Sequence, residues 1–210
     1  MKDYQAYLFD WDGTLARTLE EWLRLLRDAY LAYGIELDDK TIIGGFGNWK
    51  AAIDFGLAEE HYAAYRAEIG RKSHAALSQA PLYEGSRELL TTLRSNNKQL
   101  GLLTSSSSET IHAVLQFHGL DTMFDVVITG DDVEKHKPDP ECIVAALDAL
   151  HLDPAQAVMV GDSDKDLGAA TNAEIDSILY FPDTHNLFYE LEELKKLDPT
   201  YVISNWSELQ

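Results

Sequence analysis

A chain of 210 residues is sized for one domain, or for one domain carrying a large insertion, at about 150 residues per domain. Lys and Arg number 17 against 36 Asp and Glu, a formal charge of −19. That balance argues against nucleic acid and anionic membrane surfaces, both of which need a basic patch. The single cysteine, Cys142, leaves no internal disulfide and no multi-cysteine zinc site. With 45% hydrophobic and 25% charged residues, the composition is that of a globular protein with a core to bury. Met1-Lys2-Asp3-Tyr4 passes straight into a short apolar stretch, with neither a secretory apolar region nor a span of about 18 apolar residues. The expectation is a soluble, cytoplasmic protein in a reducing compartment.

Short apolar runs then alternate with longer helical patterns, as in a parallel sheet covered by helices. Strands are expected at 5–11, 99–104, 126–129, 157–161 and 175–181, with a weaker one at 201–203. The run Ala157-Val158-Met159-Val160 is continuously apolar, as a strand buried on both faces should be. Helices are expected at 108–118, 139–150, 164–173 and 186–196. One interval breaks the rhythm. About 85 residues separate the first two strands, where a crossover needs about 30. The excess is helical. Leu19, Trp22, Leu23, Leu26, Tyr30 and Tyr33 recur at three- and four-residue spacing, and Gly34 supplies a stop. A second pattern covers 56–79 and ends at Pro81, and 84–95 reads as the crossover helix. The fold expected is a Rossmann-like α/β core of residues 1–16 and 81–210, with an α-helical domain inserted at 17–80.

In a parallel sheet, ligands gather at the carboxyl ends of the strands. The first strand ends in Asp10-Trp11-Asp12-Gly13-Thr14. Acids at i and i+2 on extended chain point the same way, and Gly13 then permits a sharp turn. The same residues would equally make a plain acidic turn. The fourth strand ends in Gly161-Asp162-Ser163-Asp164-Lys165-Asp166. Asp162 and Asp166, four apart, suit one face of a first helical turn. N-capping by Ser163 or Asp162 is the alternative, and it accounts for one acid rather than three. Two acidic clusters at one sheet edge repel unless a cation sits between them, and oxygen-only ligands select Mg²⁺. The second strand ends in Thr104-Ser105-Ser106-Ser107-Ser108 before a helix, which makes either a phosphate site or a serine N-cap. After the third comes Lys135-His136-Lys137-Pro138-Asp139-Pro140, with lysines that are either surface charge or a cation for the site. Pro140 suits a first helical turn. Four consecutive strand ends thus carry the groups that phosphoryl transfer needs.

On these motifs the chain resembles the haloacid dehalogenase superfamily, in the helical-capped phosphatase branch that holds phosphoglycolate phosphatases and β-phosphoglucomutases. The motifs are Asp10-x-Asp12-Gly13-Thr14, the apolar strand ending at Thr104, Lys137-Pro138, and Gly161-Asp162 with Asp166. The resemblance implies a catalytic set of Asp10 as nucleophile, Asp12 as general acid and then base, and Lys137. It implies Mg²⁺ bridged by Asp10, the Asp12 backbone carbonyl, and Asp162 or Asp166. Thr104, the Ser105 amide and Lys137 would hold the phosphate oxygens, while Asp164 matches no motif position and reads as an acid that either supports the site or starts the helix. Dehalogenases and phosphonate-cleaving members lack an acid at the Asp12 position, so its presence favours phosphoryl transfer.

The expected substrate is a small phosphorylated metabolite resembling phosphoglycolate, turned over by a monomer or homodimer. A phosphosugar mutase is the alternative, although 44–50 carries no arginine to grip a distal phosphate. A non-catalytic binding module is a third reading, against which the complete motif set argues. Two positions depart from the pattern. Arg17 stands where many relatives carry Asp, and Ser106 follows the Thr/Ser pair where Asn or a related residue is usual. In Gly44-Gly45-Phe46-Gly47-Asn48-Trp49-Lys50, either Phe46, Asn48 and Lys50 reach the active-site mouth, or the stretch is a plain loop with Trp49 in the core of the helical domain. Trp22 is expected in that core too. His112, His118 and His151 lack ligand spacing, Cys142 reads as a small buried residue, and Tyr180-Phe181-Pro182 packs the sheet.

Overall fold

Residues 1–46, 48 and 50–209 are described by a computed structural model. In chain order the elements begin with β1 (Ala6–Phe9), α1 (Leu19–Ala32), α2 (Asp39–Gly44), α3 (Ala51–Asp54) and α4 (Glu59–Leu77). There follow α5 (Ser86–Ser95), β2 (Gln99–Leu103), α6 (Ser108–His118), β3 (Val126–Ile128) and α7 (Glu141–Leu150). The chain closes with β4 (Ala157–Gly161), α8 (Asp164–Asn172), β5 (Asp176–Tyr180), α9 (Leu191–Lys195) and β6 (Tyr201–Ile203). The six strands form one parallel sheet in the order β3-β2-β1-β4-β5-β6, the Rossmann-like arrangement expected.

Both faces of the sheet are covered, which is why its strands read as continuous apolar runs. Tyr7 and Phe9 point to one face, where they meet Leu89, Leu90 and Leu93 of α5 and Ile111, Val114 and Leu115 of α6. Ala6 and Leu8 point to the other, against Cys142, Ile143 and Ala146 of α7 and Ala169 and Ala170 of α8. Several expected elements are shorter than their apolar patterns. β1 stops at Phe9 because, after a last bond from the Asp10 amide to the Val160 carbonyl at 2.9 Å, Trp11 turns out of the sheet. α7 starts at Glu141, with Pro140 as its N-cap, because the residue before a proline is disfavoured from helical backbone and Asp139 therefore cannot begin it. The helix expected at 186–196 is two pieces, a 3₁₀ turn at Asp183–Leu187 and then α9. They are separated because Glu190 is extended and His185 of the first piece turns into the core.

The described chain falls into two compact units, Met1–Arg17 with Pro81–Gln210, and Thr18–Ala80. In the second, α1 and α4 bring Tyr30 and Tyr65 together with ring centroids 5.6 Å apart, and Phe55 lies 6.0 Å from Tyr30. Trp22 is half-buried rather than core, as is Leu26, while Leu25 and Ala29 are buried with Leu19, Leu23 and Tyr30. The apolar face of α1 is therefore wider than a three- and four-residue stripe. The helix expected at 56–79 begins at Glu59, and α2 and α3 were not signalled by periodicity because each is under two turns long. Phe46 is half-buried and Asn48 and Lys50 are exposed, while Trp49 lies outside the described residues. Among the described residues no helix is long and apolar enough to cross a membrane.

An aromatic cluster closes one side of the core. Tyr180 stacks on Trp206 at 3.9 Å and 6°, Phe9 meets Trp206 edge-on at 6.2 Å, and the Trp206 indole donates to Ser86 Oγ at 2.9 Å. Next to it, His185 is fully buried among Tyr83, Tyr180, Phe181 and Tyr189, with Nε2 in a 2.8 Å hydrogen bond to the Tyr83 hydroxyl. Burial pushes its pKa down from 6.5 to about 4.

Two outcomes follow. Trp206→Ala should cost about 3–5 kcal/mol in urea unfolding, read by near-ultraviolet circular dichroism. For His185, the unfolded chain takes up the proton first as pH falls, so its contribution is complete above pH 6.5 and lost towards pH 4. Wild type should lose about 3 kcal/mol relative to His185→Gln across that window, measured by urea unfolding at stepped pH.

Candidate active site

Strand order reverses between β1, which continues to β2 and β3, and β4, which continues to β5 and β6, so the crevice of this sheet lies where β1 and β4 end. Phe9 pairs with both Leu102 and Val160, so the chain leaves all three strands at one level. Asp10 follows β1, Thr104 follows β2 and Asp162 follows β4. The turn after β1 is tight. The Trp11 carbonyl accepts from the amides of Thr14, Leu15 and Ala16, and Gly13 donates to Ala16 at 2.9 Å. Gly13 has φ +81°, and a Cβ there would stand 2.4 Å from Asp162 Oδ2. No other residue meets both demands.

The centre of the site is an ammonium with three acceptors. Lys137 Nζ donates to Asp10 Oδ1 at 2.6 Å, to Asp166 Oδ1 at 2.7 Å and to the Leu103 carbonyl at 3.0 Å, and all three side chains are buried. Its donors are thereby used up. Asp166 is nearly as fully engaged, because its Oδ2 accepts from the Ser163 amide at 3.2 Å and hydroxyl at 2.6 Å, which leaves one lone pair on Oδ1. The capping alternative for this segment thus applies to Ser163 and Asp166. It does not apply to Asp162, whose Oδ1 accepts from Thr14 Oγ1 at 3.2 Å while its Oδ2 is buried with no hydrogen-bond partner.

Oxygens of Asp10, Asp162 and Asp166 lie within 4.8 Å of one another. Three buried carboxylates around one ammonium are unbalanced, since each like pair near 4 Å costs about 4 kcal/mol at an effective dielectric of 20. Burial pushes Asp10 up to about 7, with Lys137 opposing and Asp166 and Asp12 adding to the rise. Burial, and then the charges of Asp166 and Asp10, hold Asp162 well above the usual carboxylate range. For Lys137, burial alone would lower the ammonium, but Asp10 and Asp166 hold it above its ordinary value. An all-oxygen donor set, excess negative charge and an orphaned buried carboxylate oxygen together fit a hard divalent cation.

The remaining expected residues are arranged around this centre. Asp12 is half-buried, and its Oδ2 accepts from Ser106 Oγ at 2.9 Å. Thr104 is buried, and its Oγ1 accepts from the Ser106 amide at 3.1 Å. The Ser105 amide has no intramolecular acceptor among the described residues. Ser107 is the N-cap of α6, and the Ser108 amide is taken by Asp131 at 2.8 Å. The helix start is thus already satisfied, and of the serine run only Thr104 and the Ser105 amide are left as groups that an anion could use. Lys135 is an exposed partner of Asp139 at 3.7 Å, and Asp164 is exposed at the start of α8. Arg17 is exposed, with its guanidinium 5.9 Å from the Tyr83 ring centroid. His112 is exposed and bonds back to Ser108, and His151 ends α7 in the left-handed conformation. Two residues at the site had no assigned part in the sequence reading. Thr14 stands within the first motif and touches Asp162. Tyr189 lies in the segment expected to be helix, and burial and then the Asp162 and Asp166 charges raise its hydroxyl well above the ordinary value. No spacing signal connects Tyr189 to either motif.

This arrangement has known counterparts. The profile of the haloacid dehalogenase-like hydrolases matches residues 7–180. Pyrophosphatase PpaX of Bacillus velezensis is 34% identical over 178 residues, which cover 82% of this chain and 81% of that protein. The solved haloacid dehalogenase-like hydrolase of Bacteroides fragilis superposes with a TM-score of 0.87 at 25% identity, over 99% of this chain and 100% of that one. A Lactobacillus plantarum structure described as a phosphoglycolate phosphatase has the same fold, with a TM-score of 0.84, 24% identity and coverage of 99% and 98%. The chain belongs to the haloacid dehalogenase-like hydrolases, as its four motifs suggested, and it is an enzyme.

Replacing Asp162 by Asn removes an uncompensated buried charge. At pH 8 with chelator the variant should be more stable than wild type by about 1–2 kcal/mol, and it should lose most of any rise in melting temperature that a divalent cation gives wild type. Thermal melts with and without cation check both.

Proposed function

We propose that this chain is a Mg²⁺-dependent phosphatase that hydrolyses a small phosphorylated metabolite through an aspartyl-phosphate on Asp10. The observation that carries the reading is Lys137 clamped between Asp10 and Asp166, with the bare Asp162 oxygen alongside. Asp10 and Asp162, with the Asp12 backbone carbonyl, would hold the ion, whose charge offsets that of the nucleophile and the incoming phosphate. Asp166 already accepts three hydrogen bonds, and its main part is to fix Lys137.

Thr104 and the Ser105 amide bind the phosphoryl oxygens; Lys137 orients Asp10 and would join them by turning one donor from the Leu103 carbonyl to the phosphate. An Asp10 oxygen bonds to phosphorus as the ester bond breaks, and the leaving oxygen keeps the electron pair and takes a proton from Asp12. Water then bonds to phosphorus and passes its proton to Asp12, and the acyl-phosphate pair returns to Asp10. The helical insertion is read as the cap that selects substrate. Phosphoglycolate-like phosphomonoesters lead the substrate list, and the pyrophosphatase relatives add inorganic pyrophosphate to it. A charge of −19 and a lone buried thiol favour a cytoplasmic enzyme working on small molecules as monomer or homodimer.

Phosphate release from phosphoglycolate, hexose phosphates and pyrophosphate tests the reading. Release should need Mg²⁺, stop with chelator, and fall about 10³-fold or more in Asp10→Asn. Near-wild-type turnover by that variant would overturn the proposal. Interconversion of sugar phosphates with little free phosphate would replace it with a mutase.

A further inference from the structure

We propose that Ser106 is a positioning residue for Asp12, fixing which oxygen of its carboxylate carries the proton that the leaving group receives. The inference rests on the acid–base reading of Asp12 above. Neither the nucleophile nor the cation cluster uses Ser106.

The Ser106 hydroxyl donates to Asp12 Oδ2 at 2.9 Å, and both residues are half-buried. Ser106 itself has little room to drift. Its amide donates to Thr104 Oγ1 at 3.1 Å, and its carbonyl accepts from the Gly130 amide at 2.9 Å. Gly130 lies just beyond β3, so close to this loop that a Cβ on it would stand 2.5 Å from the Ser105 carbonyl oxygen. The ends of β2 and β3 thus grip the residue that grips Asp12.

A carboxylate turns readily about its last torsion, and its two oxygens then exchange roles. A donor fixed on Oδ2 stabilises negative charge there, so the acidic proton resides on Oδ1. When the bond from phosphorus to the leaving oxygen breaks, that oxygen keeps the pair and takes the proton from Oδ1. In the second half-reaction, Oδ1 accepts the proton of the attacking water. Such positioning matters most where the leaving oxygen is strongly basic, as in an alkyl phosphate. It matters least for p-nitrophenolate, which departs without a proton.

The experiment compares kcat/KM, which covers the steps up to departure of the leaving group, on 2-phosphoglycolate or glycerol phosphate with that on p-nitrophenyl phosphate, along with a series of aryl phosphates of rising leaving-group basicity. Ser106→Ala should lower the alkyl rate about tenfold more than the p-nitrophenyl rate, and Ser106→Thr, which keeps the hydroxyl, should restore most of the ratio. Asp12→Asn should shift the ratio further in the same direction, and the double variant should match Asp12→Asn. Equal losses on all substrates, or a change in KM alone, would make Ser106 a structural or substrate-binding residue and overturn the proposal. A shifted ratio in Asp12→Asn beside an unshifted one in Ser106→Ala would overturn it while leaving the acid–base reading intact. An unshifted ratio in Asp12→Asn would overturn both.

Discussion

Three hydrogen bonds from one buried ammonium tie this site together. Lys137 reaches Asp10 at the end of β1, the Leu103 carbonyl at the end of β2 and Asp166 in the first turn of α8. Each donor goes to a different element, so the relative positions of three segments of the sheet edge are set by one side chain. The arrangement is also self-consistent. A buried lysine without the two carboxylates would shed its proton, and the carboxylates without the lysine would repel one another.

The compensation is deliberately incomplete in effect. Both Asp166 oxygens are engaged by Lys137 and Ser163, whereas Asp162 keeps one buried oxygen without a partner and Asp10 is pushed up to about 7. In an enzyme of this family, excess negative charge in a closed oxygen cluster is a reservoir of affinity for a cation. It is also a source of instability in its absence. The rest of the core offsets that strain through ordinary means, with apolar layers on both sheet faces and the stacked Tyr180 and Trp206 pair.

Backbone closeness does as much as charge. Gly13 brings the β1 turn against Asp162, and Gly130 brings the end of β3 against the Ser105–Ser106 segment. Both contacts join loops from different strands at distances no side chain would allow. They tie separate strand ends together, where Ser106 holds Asp12 and Lys137 holds Asp10.

The strands were legible because a strand buried on both faces must be apolar throughout, and that is a property of a few adjacent residues. The helix at Ser108–His118 was legible for the same local reason, with Ser107 as its cap and Gly119 as its stop. The split of 186–196 was not, since His185 turns inward to partners such as Tyr83 that lie far away in the chain. The four motifs were sufficient for the family, because phosphoryl chemistry restricts residue types at strand ends more tightly than folding does. Spacing alone left Lys135 and Lys137 equivalent, and only the family motif singled out Lys137; Asp162 and Asp166 stayed interchangeable, and Ser106 had no partner. The tertiary structure supplied the contacts that define each, which periodicity cannot see, such as Lys137 with Asp10 across 127 positions or Ser106 with Asp12 across 94. Spacing along a chain reports which face a residue shares with its neighbours, whereas hydrogen-bond saturation depends on which distant elements the sheet order brings alongside.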